Sequence, residues 1–251
     1  MIEARQLSKV FTGPKRTKIH AVENVSFRCE PGQIYGLLGA NGAGKTTTLR
    51  ILATLLQPTA GTASVAGFDI TREAQKVRAN VGFLSTATAL YDRLTARETI
   101  EYFGRLNGLE GEPLRARANE LMQALGIVEF AERRCDKLST GMKQKVSIAR
   151  TLVHDPPVMI FDEPTNGLDV MAARTIVGFI RDCRTRGKTV IFSSHVMSEV
   201  EKLCDVIGII HHGKLLIEGR LEELRERTKQ PDLEEIFVQT VEQREEAVKD
   251  K

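Results

Sequence analysis

Gly39-Ala40-Asn41-Gly42-Ala43-Gly44-Lys45-Thr46 leaves an apolar run at 33–38 and opens a helical pattern that reaches about residue 55. The octet matches G-x-x-x-x-G-K-[ST], and its context is the one the chemistry requires. Glycines let the backbone wrap closely and turn N–H groups inward. The helix N-terminus adds the positive end of its dipole. These features make 39–46, with Thr47 behind them, a candidate phosphate-binding loop. In that reading Lys45 reaches the β- and γ-phosphates of a nucleotide, and the Thr46 hydroxyl holds Mg²⁺.

Outward from the loop, Val158-Met159-Ile160-Phe161 reads as a buried strand carrying Asp162 and Glu163 at its C-terminal end. Ligands of open α/β sheets gather at that end. Successive strand side chains face opposite ways, so the two acids cannot share one task. Asp162 is read as the Mg²⁺ partner and Glu163 as the general base that prepares a water for attack.

The rest of the chain alternates in the same manner. Residues 2–7, 24–29, about 64–66, 81–84, 189–193 and 206–211 read as strands. Thr95-Ala96-Arg97-Glu98 has capping-box spacing, so a helix is predicted over 96–106. Further helices are predicted over 112–125, after an N-cap at Ser139, over 170–186 and over 198–204. Apolar strands between helices imply a parallel sheet covered on both faces. The expectation is one α/β domain over 1–220, a helical insertion at about 87–157 and a charged helical tail over 221–251, broken at Pro231.

Composition narrows the function classes. The 251 residues are 41% hydrophobic and carry 36 basic and 33 acidic side chains, a net charge of +3. That balance, with no block of like charges, argues against a nucleic-acid partner. No apolar run approaches the roughly 18 residues needed to span a bilayer, and the N-terminus has no secretory pattern. Cys29, Cys135, Cys183 and Cys204 form no C-x-x-C pair. They read as buried thiols in a reducing compartment.

A third element separates the many users of phosphate loops. Leu138-Ser139-Thr140-Gly141-Met142-Lys143-Gln144 resembles the LSGGQ signature of ATP-binding cassette (ABC) proteins and lies upstream of Asp162, as it does there. Asn166-Gly167-Leu168-Asp169 and Ser193-Ser194-His195 fall in the family's order. The resemblance covers about 2–220. It implies a RecA-like P-loop NTPase core with an N-terminal antiparallel β subdomain and a helical insertion. It also implies that Phe11 stacks on adenine and that His195 contacts the γ-phosphate. Ser139 and Gly141 would grip the ATP of a second, head-to-tail subunit.

The chain departs from the family in two places. Thr140 and Met142 stand where a glycine and a glutamine are usual. A Q-loop glutamine is expected after 81–84, where Ser85-Thr86-Ala87-Thr88 occurs; Thr86 is nearest the place and would be the substitute Mg²⁺ ligand. The stretches 37–48, 90–95 and 232–237, with the LSTGMKQK variant, are similar to Nat-type sodium-export ATPases of the type-2 exporter branch. That likeness implies a peripheral subunit at the cytoplasmic face of the membrane, working on a separate permease. Exporters of drugs, lipids or polysaccharides, or a non-transport ABC ATPase, are the alternatives.

Overall fold

The structure is a computed structural model and describes residues 1–85 and 89–249. In chain order the strands are β1 (Ile2–Thr12), β2 (Lys18–Cys29), β3 (Ile34–Leu38), β4 (Ala60–Val65), β5 (Phe68–Asp69), β6 (Val81–Leu84), β7 (Val158–Asp162), β8 (Thr189–Ser194), β9 (Val206–His211) and β10 (Lys214–Gly219). The helices are α1 (Lys45–Leu52), α2 (Ala74–Ala79), α3 (Ala96–Leu106), α4 (Gly111–Ala124), α5 (Thr140–Leu152), α6 (Val170–Thr185), α7 (Met197–Leu203), α8 (Leu221–Thr228) and α9 (Leu233–Lys249).

Two sheets result. An antiparallel sheet runs β2-β1-β4-β5, and the larger one runs β10-β9-β3-β8-β7-β6. In the larger sheet β9, β3, β8, β7 and β6 are parallel, and β10 turns back along β9. Strands β3, β7 and β8 are buried at every position. This is why they read as unbroken apolar runs rather than alternating ones.

Register decides what the sheet presents. Leu38 pairs with Ser194 and Ile209, and Asp162 pairs with Ser193. The start of the glycine loop, the acidic end of β7 and the segment leading to His195 therefore share one edge.

Several predicted boundaries shift. Strand β1 continues to Thr12 through register breaks, and Gln6 has φ +50. Such breaks interrupt the alternation that a pattern search follows. Helix α1 stops at Leu52 because Thr54 turns left-handed, φ +60. Strand β10, strand β5 and helix α2 carried no predicted element. Each is short or gains its order from a neighbour, β10 from β9 and β5 from β4.

Helices α3, α4 and α5 pack on one another beside β6. The predicted capping box of α3 is present. Thr95 Oγ1 accepts from Glu98 N at 3.1 Å, and Glu98 Oε2 accepts from Thr95 N at 2.8 Å. Thr95→Ala should cost about 1 kcal/mol, and a chemical-denaturation midpoint measured against the parent checks it. The tail is not a detached helix. Leu224, Leu233 and Ile236 are fully buried in the cluster that holds Ile34 and Leu38, each worth about 2 kcal/mol. Cys29, Cys135 and Cys183 are buried and Cys204 partly so, all free. Burial pushes the Cys29 and Cys183 thiols up to about 12, so they pack rather than react.

Candidate functional site

The glycine loop wraps a cavity of about 190 Å³ lined by Ala21, residues 40–47 and Glu163. Two glycines are required sterically. Gly44 has φ +108, and a Cβ there would lie 2.5 Å from the Ala21 carbonyl oxygen. A Cβ on Gly39 would lie 2.5 Å from the Ile210 carbonyl oxygen. Helix α1 starts immediately after, so its free N–H groups face the cavity.

Lys45 is only 4% exposed. Its Nζ donates to the Gly39 and Ala40 carbonyls at 2.7 and 3.2 Å and lies 3.2 Å from Glu163 Oε1. Thr46 Oγ1 donates to Asp162 Oδ1 at 3.0 Å. Asp162 is 2% exposed, and the same oxygen accepts from Ser193 Oγ at 2.8 Å. A hydroxyl and a carboxylate side by side supply hard oxygen donors of the sort Mg²⁺ prefers.

Glu163 lies at the centre. Its φ is +49, a left-handed conformation that costs a non-glycine residue about 1–3 kcal/mol. The turn separates it from Asp162 and aims its carboxylate at the loop. Ser193 Oγ accepts from Glu163 N at 3.0 Å. Asn166 Nδ2 donates to Glu163 Oε2 at 3.1 Å, and His195 Nδ1 stands 3.2 Å from the same oxygen. The structure thus brings Lys45, Thr46, Asp162, Glu163 and His195 together.

Other predicted residues lie elsewhere. Ser139 and Gly141 do not line the cavity. Ser139 caps α5, accepting from Met142 N at 3.3 Å. A Cβ on Gly141 would lie 3.1 Å from Ala172 Cβ, so α5 begins against the start of α6. Gln144 Nε2 donates to the Pro164 carbonyl at 2.8 Å, tying that helix to the loop after Glu163. Phe11 is 38% exposed and pairs with Ile19, two positions from the cavity-lining Ala21. Lys9 Nζ lies 5.3 Å over its ring. Thr86 falls outside the described residues. Sequence reasoning missed the role of Ser193, which braces both acids. A hydroxyl at a strand's C-terminal end was the available signal. Ala21 offered none, since it reaches the site from the other sheet.

A parallel sheet whose strand ends present a glycine loop, a buried lysine and two acids in separate positions defines a P-loop ATPase. More particularly, the chain belongs to the ABC transporter family, whose sequence profile matches residues 22–166. It is 43% identical over 239 residues to the ABC transporter ATP-binding protein NatA of Bacillus subtilis, covering 95% of this chain and 97% of that one. It is 36% identical over 227 residues to the linearmycin resistance ATP-binding protein LnrL of the same organism, covering 90% and 71%. Among solved structures it resembles a dimeric ATP-binding cassette in a post-hydrolysis state bound to ADP and phosphate. There the TM-score is 0.81 and the identity 27%, over 88% of this chain and 99% of that one.

Proposed function

We propose that this chain is the ATP-hydrolysing subunit of an exporter, acting as a head-to-tail pair on a separate permease at the cytoplasmic face of the membrane. The observation that carries the reading is the meeting of Lys45, Thr46, Asp162, Glu163 and His195 at one end of the parallel sheet. No helix among the described residues is long and apolar enough to cross a membrane, and we assign the transport path to the permease. Residues 1–220 act as the nucleotide-binding domain, with about 87–157 as its helical part and 221–251 as its tail.

ATP lies with its phosphates along the amides of 40–46 and its adenine against Phe11. The γ-phosphate competes for Lys45, which then leaves Glu163. The freed carboxylate accepts the proton of the attacking water. Asn166 holds that carboxylate in position, and His195 bridges it to the γ-phosphate. Thr46 and Asp162 would hold Mg²⁺, which supplies charge neutralisation between the phosphates. The α5 N-terminus, with Ser139 and Gly141, does not line its own cavity and serves the partner copy's phosphate.

Thr86 stands in for the Q-loop glutamine and is shorter. Thr86→Gln should therefore raise basal ATP turnover, by about tenfold if it restores one good hydrogen bond, ~1.4 kcal/mol. A steady-state phosphate-release assay decides it, and an unchanged rate removes the role.

The exported species is sodium, on the likeness of 37–48, 90–95 and 232–237 to Nat-type ATPases; a drug is the second reading, supported by the likeness to the linearmycin resistance protein LnrL. The decisive experiment tags the chain in its native cell, extracts membranes in mild detergent and identifies what co-purifies. A polytopic membrane protein is expected, and reconstituted vesicles of the pair then report ATP-driven sodium efflux. Recovery with ribosomes or nucleic acid overturns the transport reading and leaves the ATPase.

A further inference from the structure

We propose that His211, His212 and Glu245 form a binding site for a divalent transition metal of the zinc type, joining the C-terminal helix to the turn behind the phosphate loop. Strand β9 ends at His211. In a regular strand the next side chain would face the opposite way. Instead His212 is left-handed, φ +44, and its ring lies beside that of His211 with centroids 4.1 Å apart. Glu245, on α9, reaches the same spot. The candidate ligand atoms of all three residues lie within 4.8 Å of one another.

His211 is the least exposed member. Its side chain is 12% exposed, and its Nε2 is buried with no hydrogen-bond partner. Glu245 Oε1 stands 3.5 Å from that nitrogen, the long end of hydrogen-bond reach. A buried ring nitrogen of this kind calls for an occupant.

Two imidazoles and one carboxylate suit Zn²⁺, Ni²⁺ or Cu²⁺ better than Mg²⁺ or Ca²⁺, which take oxygen shells. A tetrahedral zinc with ~2.1 Å bonds spaces its ligands by ~3.4 Å. Closing to that spacing would need rotation of the exposed Glu245 and His212 side chains, and water would take the fourth position. The turn matters beyond the tail. Gly213 N donates to the Ala43 carbonyl at 2.8 Å, and the Gly213 carbonyl accepts from Glu23 N at 2.7 Å. A bound ion therefore pins α9 to the turn that backs the loop.

The test titrates the full chain with Zn²⁺ by calorimetry in excess Mg²⁺, and with Co²⁺ by visible absorption. One ion per chain and a tetrahedral Co²⁺ band are expected, with a rise in melting temperature. His212→Asn keeps a residue tolerant of left-handed φ, and Glu245→Gln keeps the side chain's size. Each should weaken Zn²⁺ binding at least tenfold while ATP affinity stays unchanged. Zinc binding that survives both variants, or that is lost in Asp162→Asn instead, overturns the site; so does no binding at micromolar zinc.

Discussion

Glu163→Gln lowers steady-state ATP turnover by about 10³-fold, ~4 kcal/mol in the barrier, while ATP binding persists. Glutamine has nearly the same shape as glutamate, so the hydrogen bond from the backbone N–H of residue 163 to Ser193 Oγ and the contact with Asn166 can remain. On the proposed mechanism, what is lost is the proton acceptor. The ion pair at 3.2 Å with Lys45 goes as well, so the ammonium no longer has to leave a carboxylate to meet the γ-phosphate. Two consequences follow together, slow chemistry and tighter ATP. In the proposed head-to-tail pair the unspent nucleotide should hold two copies closed. Single-turnover hydrolysis and sedimentation in Mg·ATP measure both. Hydrolysis within about threefold of the parent would remove Glu163 from the role of base. A monomer in Mg·ATP, both alone and with the co-purified membrane partner, would overturn the composite site.

Lys45→Ala weakens ATP binding by about 10²-fold. Its ammonium is the one cation lining the loop cavity among the described residues, and it already sits where loop carbonyls at 2.7 and 3.2 Å converge. Charge-assisted hydrogen bonds of this kind are worth about 1.5–3 kcal/mol each, and about 1.4 kcal/mol is tenfold in affinity. The change also strands the Glu163 side chain, which is 15% exposed. Asn166 and His195 still bind that carboxylate, so the fold should hold. Fluorescent-nucleotide titration measures the affinity, with circular dichroism to check the fold. Unchanged affinity would mean that the loop amides alone bind the phosphates.

These two substitutions are expected to separate because the proposed mechanism uses one residue for binding and the other for chemistry. The sequence motif distinguishes the two roles only in outline. The ion pair between Lys45 and Glu163 is visible only when β3 and β7 are assembled around β8.

The phosphate loop, the strand carrying Asp162 and Glu163, the capping box at Thr95 and the N-cap at Ser139 were legible in the chain. Each depends on local physics: glycine's backbone freedom, an apolar run ending in acids, a side chain reaching its own helix terminus. The family followed from the order of such segments. Tertiary structure alone decided the rest. It set the register that places Ser193 between the two acids, the left-handed turn at Glu163, and the approach of Ala21 from the other sheet. It also placed Ser139 outside its own chain's cavity and brought Glu245 to His211 and His212. Apart from the Ser193 hydroxyl at its strand end and the backbone turn at Glu163, these have no local signal, because they join residues that are distant in sequence and meet only through sheet register and helix packing.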